Sequence, residues 1–127
     1  MYDYTRWPNF SKAKLICQET GMENPNVKQF TNLMDSIQSL RSWYGKPMFV
    51  NSAYRSPEHR LEARKAKPGQ HSIAAIDFRV PTADCHKLVA QAFKLGYTGV
   101  GINLTGSASS RFIHLDQRES APRIWSY

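Results

Sequence analysis

Several things are scarce in this sequence, and each scarcity excludes a class. No apolar run approaches the roughly 18–20 residues that a membrane-spanning helix needs, so no membrane insertion is expected. The first residues, from Met1 to Pro8, contain no apolar stretch of signal-peptide type. The expectation is therefore a chain without a secretory signal. Cysteine occurs only at Cys17 and Cys85, and neither belongs to a C-x-x-C pair. Both fall in segments that read as helical, where a free Cys is a small buried hydrophobe. Acidic residues number 10 against 17 Lys and Arg, a net charge of +7. Such a surface suits anionic partners: nucleic acid, anionic membranes or cell-wall polymers. The densest basic cluster, Arg60, Arg64, Lys65 and Lys67, lacks the interleaved aromatics of a single-strand binder, and nucleic acid is not expected. Internal repeats, low-complexity tracts and linkers are missing as well. A chain of 127 residues with 41% hydrophobic and 21% charged residues reads as one domain, 1–127, and as a monomer.

What is present begins with helices. Ser11 can cap a helix from Lys12 to about Glu19, closed by Gly21. From about Asn26 to Tyr44, apolar residues at 27, 30, 33, 34, 37, 40 and 44 trace one helical face, stopped by Gly45 and Pro47. Met48 to Val50 predicts a short strand ending at Asn51, Ser52 and Tyr54. Ser56-Pro57 starts a third helix, and the basic stretch from Arg64 to Gln70 is a loop. Ala74 to Val80 is strand-like. Thr82 caps a helix from Ala83 to Leu95, with Leu88, Val89, Ala92 and Phe93 inward and Gly96 closing it. Gly99–Leu104 and Arg111–Gln117 form a hairpin around T-G-S-A-S-S. The tail from Pro122, with Trp125 and Tyr127, packs back on the domain. Helices followed by strands predict an α+β domain with a small, mainly antiparallel sheet packed against helices.

Three ligand-type residues stand at or beside the apolar runs: His71, Asp77 and His114. Two imidazoles and a carboxylate, with a fourth position open to water, suit catalytic zinc at the sheet. An aspartate inside a buried strand needs a partner; a metal ion or a salt bridge to Arg79 on the same face would serve Asp77. His114 and Asp116 are two apart on a strand and point together, an arrangement that a solvated polar face also produces. His59 stands at the start of the third helix, and His86 reads as a surface residue.

The ordered pieces F-S-K-A-K-L, P-N-V-K-Q-F, L-R-S-W-Y-G-K-P-M, N-S-A-Y-R-S-P-E-H, G-Q-H-S-I-A-A-I-D-F, G-V-G-I-N, F-I-H-L-D-Q-R and R-I-W resemble the zinc D-Ala-D-Ala carboxypeptidase family. That family includes bacterial wall-trimming enzymes and phage endolysins. The resemblance covers nearly the whole chain from Phe10. It implies Zn2+ held by His71, Asp77 and His114, and a substrate-facing Arg55, whose guanidinium suits a peptide carboxylate; an arginine that pins its own loop is the alternative. Ser52 and Gln70 are candidate substrate-binding residues. Two departures stand out. The family's H-x-x-G-x-A-x-D becomes H-S-I-A-A-I-D, one residue shorter and without the glycine. The acidic base found in some members three residues before the last ligand is Arg111 here, which cannot take up a proton. Asp116 is then the candidate catalytic base, with a ligand-orienting role as its alternative and Glu58 and Glu119 behind it.

The activity implied is hydrolysis of peptidoglycan stem peptides, either as a D,D-carboxypeptidase or as an L-Ala–D-Glu endopeptidase. Short length, basic charge and the missing signal favour a phage endolysin, held in the host cytoplasm until release to the wall, or carried on the virion. The rival is a non-catalytic module that keeps the fold and binds peptidoglycan or another protein.

Overall fold

The computed structural model describes residues 1–127 as four α-helices and five β-strands. The helices are α1 (Lys12–Leu15), α2 (Val27–Tyr44), α3 (Arg60–Ala63) and α4 (Thr82–Lys94). The strands are β1 (Phe49–Ser52), β2 (Ala75–Arg79), β3 (Gly99–Asn103), β4 (Phe112–Asp116) and β5 (Arg123–Ser126). α2 follows its apolar period: Phe30, Leu33, Met34, Ile37, Leu40 and Tyr44 are buried. At about 1.5–3 kcal/mol for each fully buried large side chain, this one face stabilises the helix far more than its intrinsic propensity does. Gly45 ends it at φ 74°, the left-handed conformation that glycine adopts without steric cost. Val27 and Phe93, both expected inward, are instead exposed.

The strand order is β1-β2-β4-β3-β5. Neighbours are antiparallel except β5, which runs parallel to β3. The sheet is therefore mixed, which corrects the expectation of a mainly antiparallel one. The tail supplies the difference: Pro122–Tyr127 does not merely pack back but adds an edge strand, with Arg123 N–H donating to Thr98 O at 2.8 Å.

One face of the sheet carries Ile76, Phe78, Val100, Ile113 and Leu115, all at most 1% exposed, and joins α2 and α4 in the core. The opposite face is set by register. Ser52, Asp77, His114, Gly101 and Trp125 lie in one cross-strand row, and Ala75, Asp116, Gly99 and Arg123 in the next. The pairing of β1 slips between Val50 and Ser52, an irregularity that re-aims the chain as it leaves the sheet.

Other boundaries are shorter than the sequence suggests. α3 begins at Arg60 rather than at Pro57, because His59 Nδ1 accepts from Leu61 N–H and caps the helix there. α1 ends at Leu15, where Ile16 turns extended. Cys17 therefore lies in a loop and Cys85 in α4; both are free and buried. No helix is long and apolar enough to cross a membrane.

Candidate metal centre

His71 sits on a single 3-10 turn, Gln70–Ser72, that enters β2. The turn is fixed from several sides. Arg55 N–H donates to His71 O at 2.8 Å, and Ser72 Oγ donates to Arg55 O at 2.7 Å. Asn24 Nδ2 and Asn26 Nδ2, just ahead of α2, donate to Ile73 O and Ser72 O. Asp77 and His114 come from the middles of β2 and β4, directly opposite each other in register.

One ligand atom from each of His71, Asp77 and His114 lies within 4.8 Å of the others. His71 Nε2 is 3.2 Å and His114 Nδ1 2.8 Å from Asp77 Oδ1. The short span between His71 and Asp77, which includes the 3-10 turn, thus still brings the two side chains together. Asp77 is partnered by the two histidines and makes no ion pair with Arg79.

The donor set fits a zinc ion. His71 Nδ1 is 2.6 Å from Ala53 O, a bond that puts the proton on Nδ1 and leaves the Nε2 lone pair free. Nε2 is buried and has no hydrogen-bond partner, the kind of orphan that a metal satisfies. His114 Nε2 is 2.7 Å from Asp116 Oδ2, which turns Nδ1 toward the same point. Each ring is thus oriented through its second nitrogen by a carbonyl or a carboxylate.

The charges are held by neighbours. Burial alone would raise the Asp77 carboxyl, but the His114 hydrogen bond and the adjoining His71 imidazole outweigh it and hold the group far below the usual carboxylate range. Burial likewise opposes the charge on Asp116; bonds from His114 and from Arg118 win, and its pKa also falls. His114 moves the other way. Burial lowers it, but bonds to Asp116 and Asp77 raise it above an ordinary histidine.

Asp116 is fully buried. Its oxygens receive Arg118 N–H at 3.0 Å, Arg118 Nε at 2.9 Å and Arg118 Nη2 at 2.6 Å, besides the His114 contact. It does not line the cleft that opens over the three ligands. That cleft, of about 650 Å3, is lined by Arg55, Gln70, His71, Asp77, His114 and Trp125 among others. Its only acidic side chain is Asp77; Glu58 does not border it, and Glu119 faces a neighbouring cavity. Ser52 adjoins Asp77 in register but does not line the cleft. Arg111 is turned away, donating to Thr82 Oγ1 and Gly106 O. His59 contacts Glu19, and His86 is exposed.

Several contributors went unseen in the sequence. Glu62, with no side-chain exposure, pairs with Arg55 Nε at 3.1 Å and Lys65 Nζ at 3.0 Å and accepts from Gly69 N–H at 2.8 Å. It ties the cleft-facing arginine to the loop that delivers His71. Gly99 and Gly101 clear the site face. A Cβ at Gly99 would overlap the Asp116 carboxylate, and one at Gly101 would stand 2.5 Å from Trp125 Cε2. The alternation G-V-G inside a strand is the signal that marks such close approaches. Trp125 fills the space over Gly101, its ring centroid 5.0 Å from that of His114.

No curated protein matches the chain. The model of the family Peptidase M15 matches residues 8–116, a span that contains all three candidate ligands. A buried His-Asp-His set on the open face of a sheet, with both rings aimed by their second nitrogens, lies inside that match, and the chain belongs to this peptidase family of zinc D-Ala-D-Ala carboxypeptidase type.

Proposed function

We propose that the chain is a zinc metallopeptidase that hydrolyses peptide bonds in peptidoglycan stem peptides, as a D,D-carboxypeptidase or an L-Ala–D-Glu endopeptidase, in the manner of a phage endolysin. The observation that carries this reading is the convergence of one nitrogen from each of two imidazoles and one carboxylate oxygen at the floor of a cationic cleft. His71 Nε2, Asp77 Oδ1 and His114 Nδ1 would hold the ion. Zinc, when bound, supplies a Lewis acid that polarises the scissile carbonyl and activates the attacking water.

The chain's own residues do the rest. Arg55, held at Nε by Glu62, presents its guanidinium to a substrate carboxylate and fixes the peptide's register, since this group pairs with carboxylates in a fork. Trp125 covers one side of His114 and limits water there. Asp116 holds the proton on His114 Nε2 and so keeps Nδ1 free for the metal; its burial and its bonds to Arg118 suit that orienting role better than proton abstraction at the cleft.

A second reading is favoured by one observation: the cleft has no carboxylate beyond Asp77 to serve as base. On that reading the chain binds stem peptides without cutting them. Incubation with purified peptidoglycan, with zinc or with chelator, followed by mass spectrometry of the soluble products, separates the two. Zinc-dependent release of peptide fragments supports the peptidase and identifies the bond. Binding to the wall without any release supports the binding module.

A further inference from the structure

The cleft carries more positive charge than a single substrate carboxylate requires. Arg55, Lys65, Lys67, Arg118 and Arg123 all line it, against Asp77 alone. Three of the five are committed: Arg55 and Lys65 to Glu62, Arg118 to Asp116. Lys67 and Arg123 pair with no carboxylate, and of the two only Arg123 stands on the sheet that carries Asp77 and His114. It belongs to the same sheet face as Asp116, opposite Gly99 in register. Because Asp116 is already saturated by Arg118 and Gly99 has no side chain, nothing in the row neutralises Arg123. Its guanidinium lies over the Trp125 ring, 5.4 Å from the centroid. Stacking of this kind holds an arginine's plane while leaving its edge donors free for an anion. The Trp125 ring in turn rests beside His114. The two separations keep Arg123 within about 10 Å of the ring of His114, one of the three candidate ligands, a span of about three extended residues at about 3.3–3.6 Å each.

We propose that Arg123, seated on Trp125, is a second carboxylate subsite, so that the chain selects acidic peptides bearing a carboxylate within three residues of the scissile bond in addition to the one taken by Arg55. This rests on the peptidase reading for the scissile bond, but the recognition itself is a binding property. The charge-assisted bonds between the guanidinium and a carboxylate, which an amide cannot match, are what give the discrimination.

The test uses two matched peptides: a stem pentapeptide with its D-Glu carboxylate free, and the same peptide with that carboxylate amidated. Both are titrated calorimetrically into the metal-free chain, where no turnover intrudes, and both are assayed with the zinc-loaded chain. The wild type is expected to bind the free-carboxylate peptide about tenfold more tightly. Arg123→Gln is expected to remove that preference while zinc affinity and the circular dichroism spectrum stay unchanged. A wild type that binds both peptides equally overturns the subsite, as does an Arg123→Gln variant that keeps the preference. Failure of the peptidase reading looks different: neither peptide is cut by the zinc-loaded chain, whatever the calorimetry gives.

Discussion

The two faces of the sheet are built from the same strands by opposite rules. On the core face large apolar side chains fill the middle of the sheet: Ile76, Phe78, Ile113, Leu115 and Val100 are all at most 1% exposed. On the site face two positions are emptied, Gly99 and Gly101, so that neighbours can fill them with a carboxylate and an indole. Side-chain alternation separates the faces completely, because residues one apart point to opposite sides. The core face gains stability from burial. The site face concentrates ionisable groups whose charges burial opposes and which are held by one another and by Arg118. Stability and chemistry are thus placed on alternate residues of β2 and β4, and substitutions one residue apart should report on different properties.

The largest effect expected is on stability, from the core face. Phe78→Ala removes a fully buried ring next to Asp77 in sequence and should cost about 3–5 kcal/mol. Thermal or denaturant unfolding measures it. The comparison breaks if Phe78→Ala leaves the unfolding midpoint near wild type, or if His114→Ala lowers it as much.

Gly99→Ala tests the emptied positions. Its methyl would overlap the Asp116 carboxylate, and overpacking of this kind costs about 1–3 kcal/mol. Because the group displaced orients His114, zinc affinity should fall together with stability. Normal zinc affinity in a destabilised Gly99→Ala variant would mean that Asp116 has no part in holding the ligand.

Asp116→Asn sharpens the same point without adding bulk. If Asp116 acts through His114, zinc affinity should fall about 10–100-fold and activity should return with added metal. A fall in kcat of about 10²–10⁴ with zinc fully retained would instead make Asp116 the base. Measuring both constants in the one variant distinguishes these outcomes.

How much of this was legible in the sequence depends on whether a residue's role is local. The helical face of α2 and its stop at Gly45 follow from period and backbone chemistry, and both appear in the structure. His71, Asp77 and His114 were visible as ligand types beside strands, and the structure brings their ligand atoms together. Asp116 was half legible. Alternation assigns it to the side of His114, but Arg118 two residues on, which saturates it, decides what it can do. Glu62 was not legible at all, since its partners Arg55 and Gly69 meet only when the intervening loop closes. β5 was seen only as a tail, because four residues paired in parallel to β3 carry no hairpin signal.

The smallest effect expected is one of pH, and its sign separates the metal-free from the metal-bound site face. In the metal-free chain both nitrogens of His114 bond to carboxylates, and despite burial its pKa stands above the ordinary 6.5. That pairing stabilises the fold fully below the unfolded value of 6.5 and is lost as pH rises through the raised folded value. Zinc needs the Nδ1 lone pair, so binding expels this proton. Zinc affinity should therefore climb about tenfold for each pH unit up to the raised pKa of His114, then level off. Asp77 does not contribute in this range, since its pKa is pressed far below the usual carboxylate range. Competition with a chelator across about pH 5.5–8.5 gives the curve, with a bend expected above 6.5. In Asp116→Asn, which removes one of the two carboxylates that raise His114, the bend should move to lower pH. A wild-type bend at or below 6.5 would show that burial outweighs the two carboxylates, and the site face would then hold a neutral His114 before any metal arrives.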